Sequence, residues 1–348
     1  MRGEGIDMFT AIECATFGPI EDLRVVDRES PALRSGELRV AVSACGVNFV
    51  DGILVQGKYQ IKPPLPFVPG MEIVGRVVEL ADDVTSATIG DRVFANVGFG
   101  GFASEVVVSA AQVQPISPNL TDGQAATFLQ SYMTGWFALR QRAGIGPLGS
   151  GDGGGRTLLV LGAGSGVGLA AVDIGSALGL RVVAAASTED KRSLARELGA
   201  LEVIDNSELD PAGVKDAAKA FAASFPESAD RGGVDYLYDP IGGALGETCL
   251  RALGDDGQYL VIGFVGGIPS LPANQVLLRN RRITGVDWGA WAGRHAAENR
   301  AMLDEIVAAI DAGSLRPVEP TTYPLTSAAQ ALADLAERKV AGKVALVP

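Results

Sequence analysis

Thr157-Leu-Leu-Val-Leu-Gly-Ala-Gly-Ser-Gly-Val-Gly168 carries a β-prone apolar run into a series of glycines, and a helical pattern over 167–178 starts before the glycines end. Gly162 and Gly164 permit a tight turn, Gly166 lets a backbone approach a pyrophosphate, and Gly168 lets helix and sheet pack closely. The helix N-terminus adds unpaired N–H groups and partial positive charge. The spacing is GxGxGxG, not GxGxxG, and a glycine turn by itself is also a structural turn. Context favours dinucleotide binding: the turn joins a strand to a helix and opens a run of βα units. No Lys-Ser or Lys-Thr follows the glycines, which excludes a Walker phosphate loop.

Downstream, the pattern predicts strands over 181–186, 202–204, 234–238, 258–262 and 283–286. Helices are predicted over 189–198, 212–225 and 244–253. This βαβ rhythm specifies an α/β domain with a Rossmann-type, doubly wound parallel sheet. Upstream, residues 9–115 hold short β-prone runs (38–44, 73–80, 92–95, 103–108) punctuated by Gly and Pro, the pattern of a compact barrel or sandwich. Helices are expected over 123–128 and 132–143. The glycine-dense stretch 144–155 reads as a flexible surface loop. A helix over 296–312 and another over 327–339 precede a closing strand at 343–347. That return to strand character places the tail on the first domain. The expected division is 1–130, the first part of a catalytic domain; 131–294, the nucleotide-binding domain; and 295–348, the return.

The end of the second strand of the nucleotide-binding domain addresses cofactor choice. NAD sites often place Asp or Glu there, bonded to the ribose hydroxyls. Here the strand ends in Ala186, and Ser187-Thr-Glu-Asp-Lys191 follows. Ser187 offers a hydroxyl to a phosphate, and Lys191 has the reach to meet a 2′-phosphate as a point charge. These residues point to NADPH. Against this, Lys191 is also readable as a solvated surface lysine, and Glu189 and Asp190 would repel a phosphate if they faced it.

Composition bounds the alternatives. The 348 residues are enough for two domains, and 47% apolar with 20% charged residues is ordinary for a globular chain. A net charge of −12 argues against a nucleic-acid partner. Cys14, Cys45 and Cys249 form no CxxC pair, so a reducing, cytoplasmic setting is expected. The acidic start, MRGEGIDMFTAIE, does not read as a signal peptide, and no apolar run suits a membrane span. His295 reads as a surface helix residue. One histidine and three scattered cysteines are too few for a four-cysteine zinc lobe, and a Cys/His catalytic zinc is not expected. No GxSxG elbow occurs.

Several motifs, in order along nearly the whole chain, resemble the quinone oxidoreductase branch of the medium-chain dehydrogenase/reductase superfamily. They are Cys45-Gly-Val-Asn-Phe-Val-Asp51, Pro69-Gly-Met-Glu-Ile-Val-Gly75, Gly90-Asp-Arg-Val93 and Gly100-Gly-Phe-Ala-Ser-Glu105. Further on come Thr134 with Ala138-Leu139, the Gly162–Gly168 loop, Gly285-Val-Asp-Trp-Gly289 and Gly342-Lys-Val-Ala-Leu-Val-Pro348. The resemblance implies a GroES-like β-barrel catalytic domain built from both chain ends, a Rossmann domain inserted between them, and an active site in the cleft. Zinc-dependent relatives carry Cys where this chain has Asn48 and His where it has Met71, so no metal is expected.

The resemblance further implies Asn48, Asp51, Tyr59 and Thr134 near nicotinamide and substrate. It implies cofactor contacts from Gly164, Ser165, Gly166, Val167, Ser187, Lys191, Asn206, Ile262, Gly263, Phe264, Trp288 and Lys343. On residue type alone, Asn48 reads as a turn residue and Tyr59 as a loop packing residue. Asn206 departs from the pattern, since many relatives have Tyr there. The activity implied is metal-free hydride transfer from NADPH to a quinone. Reduction of an enone, enal or enoyl thioester double bond is an alternative, as is a non-enzymatic nucleotide-binding role. The partners implied are a small-molecule substrate and a second copy in a homodimer.

Overall fold

The computed structural model describes residues 8–348; the N-terminal residues through Asp7, on which the signal-peptide reading partly rests, lie outside them. The chain divides into two compact units, Met1–Leu129 with Pro317–Pro348, and Gln130–Arg316.

In the first unit the long strand Glu37–Val47 is the organiser. It pairs antiparallel with Glu72–Leu80, Glu105–Ser109 and Val344–Val347. The sheet runs in the order Thr321–Pro324, Val344–Val347, Glu37–Val47, Glu72–Leu80, Arg92–Asn96, Val113–Pro115. Leu38, Val40, Ile73, Val77, Phe102, Val344 and Leu346 fill one core. β-Branched residues on these strands suit the pleated, half-buried surface. The chain's last strand is thus part of this sheet, as its sequence suggested. The unit also contains the helix Phe49–Val55, which the β-rich reading of 9–115 did not anticipate. Asn48 caps it and Asp51, at its third position, accepts the Asn48 N–H at 2.8 Å. The helix turns Leu54 and Val55 onto Cys14 and Phe67.

The second unit is a six-stranded parallel sheet. Its order is Glu202–Asp205, Arg181–Ala186, Thr157–Val160, Val234–Asp239, Leu253–Val261, Arg282–Gly285. Numbered along the chain this is 3-2-1-4-5-6, the doubly wound order. Leu158, Leu159, Val160, Val182, Val183 and Leu237 are fully buried, as strands covered on both faces require.

The boundary between the units differs from the sequence reading. The return begins at Pro317, not at 295. Helix Ala296–Asp311 falls in the second unit, and its apolar face, Met302, Leu303, Ile306, Ala309 and Ile310, is buried. Glu305 on the same helix accepts the Trp136 indole N–H at 3.1 Å. Strand character resumes only after Arg316. The glycine-dense stretch is also less bare than its composition suggests. Ile145 is 2% exposed, and Gly153 lies so close to Leu178 that a Cβ would stand 2.2 Å from its carbonyl oxygen.

Candidate cofactor and active-site residues

The glycine turn leaves strand Thr157–Val160 beside Val234–Asp239, where the strand order reverses. Ligands of such sheets bind at that switch point, outside the carboxyl ends of the strands. Gly162 has φ +59°, a left-handed conformation that favours glycine. Ser165 caps helix Gly166–Ala177: its hydroxyl donates to the Gly162 carbonyl at 2.7 Å and accepts the Gly168 N–H at 3.2 Å. A Cβ on Gly168 would stand 2.3 Å from the Gly162 oxygen, so glycine there allows the helix to close on its own turn. Gly166 and Val167, half-buried, form the first turn, where N–H groups have no intrahelical acceptor. The turn fits a pyrophosphate.

Lys191 lies across this turn. It is 8% exposed, and its aliphatic stem covers Gly164. It is therefore not a solvated surface lysine. Ser187 is exposed beyond the strand end, Asn206 is half-buried, and the Asn206 N–H reaches the Ala186 carbonyl at 3.3 Å. Glu189 pairs with Arg192 at 3.1 Å and Arg196 at 2.6 Å, which holds its pKa below the usual range. Arg192, which sequence reasoning did not single out, stands with them. Its guanidinium reaches the Ala186 carbonyl at 3.3 Å and the Asp205 carboxylate at 2.6 Å, bridging the ends of the second and third strands. A second cation beside Lys191 was the signal available.

The remaining cofactor candidates of this unit follow other strands at the same edge. Ile262, Gly263 and Phe264 succeed Leu253–Val261, and the N–H groups of Ile262 and Gly263 reach the Asp239 carbonyl at 2.9 and 3.3 Å. Phe264 is 49% exposed. Trp288 opens the helix after Arg282–Gly285 and donates to Asn299 at 2.8 Å. Thr134 is half-buried in helix Leu129–Trp136. His295 is half-buried, stacked on Trp291 with ring centroids 4.9 Å apart, unlike the surface residue expected.

In the first unit, strand register gathers a second set. Gly46 pairs with Glu72 on one side and Val47 with Val344 on the other. Asn48, Glu72 and Lys343 thereby meet at adjacent strand ends. Asn48 Nδ2 donates to Glu72 at 2.7 Å, and Lys343 Nζ donates to Asn48 Oδ1 at 2.8 Å. Asp51, fully buried, stands beside them. Burial and the negative charge of Glu72 push its pKa up to about 7, while the N–H groups of Asn48 and Gly70 and the Lys343 ammonium pull the other way. Burial pushes the Lys343 pKa down, against the pull of Glu72 and Asp51. Lys343, expected at the cofactor, is thus brought to Asn48 and Asp51. Glu72 lies inside the quoted Pro69–Gly75 motif yet was not singled out.

Tyr59 is half-buried and packs with Met71 against the cluster of Cys14, Leu54, Val55 and Phe67. The donor set at the positions of interest is an amide and a thioether, poor ligands for zinc. Among the described residues, no group of three or more His, Cys, Asp or Glu is arranged to hold a metal ion.

Comparison with known proteins agrees with this architecture. Residues 34–118 match the alcohol dehydrogenase GroES-like domain model, and residues 166–308 match the zinc-binding dehydrogenase model. A quinone oxidoreductase-like protein 2 homolog from Nematostella vectensis is 34% identical over 346 residues, covering 98% of this chain and 90% of that one. A probable oxidoreductase from Mycobacterium abscessus superposes with a TM-score of 0.83 at 32% identity, covering 99% of this chain and all of that chain. A quinone oxidoreductase from Thermus thermophilus, determined alone and in complex with NADPH, superposes with a TM-score of 0.79 at 29% identity. It covers 97% of this chain and 100% of its own.

Proposed function

The chain belongs to the quinone oxidoreductase branch of the medium-chain dehydrogenase/reductase superfamily, and from that membership we propose that it is an NADPH-dependent oxidoreductase that reduces a quinone without a metal. The observation that carries the reading is Lys191 laid across the glycine turn at the switch point of a 3-2-1-4-5-6 sheet. The NADPH complex of the Thermus thermophilus relative supports the same cofactor, and the names of the relatives support a quinone acceptor.

NADPH, when bound, supplies the hydride. The chain binds and orients. The Gly164–Val167 turn takes the pyrophosphate, with its N–H groups and helix dipole against the negative charge. Lys191, Ser187 and Asn206 take the 2′-phosphate end. Ile262, Gly263, Phe264 and Trp288, at the same sheet edge, line the rest of the cofactor, and Thr134 serves the nicotinamide. Quinone reduction leaves negative charge on an oxygen, which needs hydrogen-bond donors and no Lewis acid. Asn48 and Tyr59 are those donors. Asp51 orders the pocket by holding the Asn48 backbone. Alcohol oxidation, in contrast, benefits from a metal or base to hold an alkoxide.

A homodimer and a cytoplasmic setting belong to the same reading. Strand Arg282–Gly285 is a sheet edge, and Ile268, Leu277, Leu278 and Ile283 nearby are 41–81% exposed. The three cysteines are unpaired and buried, as in a reducing compartment. No helix among the described residues is long and apolar enough to cross a membrane.

Steady-state turnover with NADPH and NADH against a panel of quinones and a panel of enones tests the reading. NADPH-dependent quinone turnover is expected. Turnover of enones alone would move the reading to double-bond reduction, and NADPH binding without turnover of either would refute an enzymatic role.

A further inference from the structure

Asn48 is held at both ends of its amide, and the two holders carry opposite charge. Lys343 donates to Oδ1 at 2.8 Å, and Glu72 accepts from Nδ2 at 2.7 Å. All three residues are buried, at 8% exposure or less. An asparagine amide in water turns over freely, offering either a carbonyl or an N–H. Here the flipped amide would set its oxygen against a carboxylate and its N–H groups against an ammonium. Both contacts would be repulsive at low local dielectric.

We propose that Glu72 and Lys343 are positioning residues for Asn48, locking its amide so that the second Nδ2–H is presented as a donor to the substrate oxygen. This rests on the reading of Asn48 as a substrate-facing group. The lock also sharpens the donor. An ammonium on Oδ1 draws electron density from the amide and makes its N–H more polar. The register that joins the chain's last strand to Glu37–Val47 delivers Lys343 to this position. The C-terminal return of the chain therefore completes the Asn48 environment. Lys343 acts through Asn48 in this assignment, which differs from the cofactor contact that the family resemblance implies for it.

The test uses the full-length protein and the variants Lys343→Met, Lys343→Arg and Glu72→Gln. Three quantities are read: kcat with the best quinone, the Kd of NADPH, and the side-chain amide resonances of Asn48 in protein labelled with 15N-asparagine. Lys343→Met is expected to lower kcat by about ten- to a hundredfold. Its Kd for NADPH should stay within about threefold, and the Asn48 Nδ2 protons should shift and lose protection from exchange with solvent. Glu72→Gln should do the same to a smaller extent, because a glutamine amide can face Asn48 either way. Lys343→Arg should recover part of kcat and the resonance. A Lys343→Met protein with wild-type kcat and resonance, or one whose main loss is NADPH affinity, would overturn the assignment. Should a variant fail to fold, the resonance of wild-type protein still decides: Asn48 Nδ2 protons that are unshifted and unprotected from solvent exchange reject the lock. If wild type turns over no substrate while its Asn48 amide is locked, the quinone reading has failed and the positioning has not.

Discussion

A Cβ built on Gly164 would stand 2.5 Å from Cγ of Lys191 and 2.6 Å from its Cβ and Cδ. The glycine is therefore the bed on which the lysine lies, and the clash involves the root of the side chain, which a change of rotamer does not move away. Gly164→Ala should displace Lys191 while leaving the rest of the turn in place. NADPH affinity should fall about tenfold, the size of one charge-assisted hydrogen bond weakened. NADH affinity should change less. Fluorescence titrations with both nucleotides measure this, and an equal loss for each would mean that the turn itself has been distorted.

Asp51 makes stability depend on pH. Its folded pKa, about 7, lies above the ordinary carboxylate value. Between about pH 4 and about 7 the folded state thus holds more protons than the unfolded one, and stability falls as pH rises through that window. Asp51→Asn removes this loss and keeps an oxygen to accept the Asn48 N–H. The variant should gain on wild type through the window, by on the order of 2–4 kcal/mol once pH exceeds about 8. Melting temperatures of both proteins from pH 4 to 9 show it. A difference in Tm that does not vary with pH would refute the buried, perturbed carboxyl.

Much of this was legible in the sequence, because the Rossmann half is written in local terms. Strand, glycine turn and helix alternate within windows of a few residues. The strands at 157, 181 and 234 begin where periodicity and turn residues put them. The helix Phe49–Val55 was not legible: its apolar run continues directly from a strand, and only the Asn48 cap and Asp51 mark the change. Nor was the destination of Lys343, because the pairing of Val344 with Val47 is a contact between chain ends that no local pattern encodes. Arg192 failed for a similar reason. Its partner Asp205 sits on the next strand, so sequence shows a basic pair on a helix but not the strand ends that it bridges.

Metal removal should leave activity intact. Met71 packs in an apolar cluster, and Asn48 is committed to Lys343 and Glu72. Exhaustive chelation followed by elemental analysis and assay checks this. Stoichiometric zinc, lost together with activity, would contradict it.

The proposed homodimer would use the strand edge Arg282–Gly285, where Ile283 is exposed. Ile283→Lys should shift a dimer toward monomer in light scattering without changing the monomer's NADPH affinity by more than a few-fold. A wild-type monomer at all accessible concentrations would remove the basis for this expectation.

Cofactor choice rests on the charges at the second and third strand ends. Ala186 places no carboxylate at the end of the second strand, and Glu189 is turned to Arg192 and Arg196. Another acid at these strand ends, Asp205, is held by Ser207 and Arg192, which keep it ionised but paired. Lys191, whose stem lies over Gly164, is the residue proposed to meet the 2′-phosphate. A charge-assisted bond of this kind contributes roughly 1.5–3 kcal/mol, or about ten- to a hundredfold in affinity. Lys191→Ala should weaken NADPH by that factor and leave NADH nearly unchanged. Arg192→Ala should also weaken NADPH, through a different route: it removes a cation and releases the Asp205 charge beside the phosphate. The two losses should be less than additive if both cations meet the same phosphate, since neighbouring sites couple. Raised salt should reduce NADPH affinity more than NADH affinity. Dissociation constants for both nucleotides on wild type, the two single variants and the double variant give the full cycle. A wild-type preference for NADH, or equal losses of the two nucleotides in Lys191→Ala, would defeat the assignment of Lys191 to the 2′-phosphate.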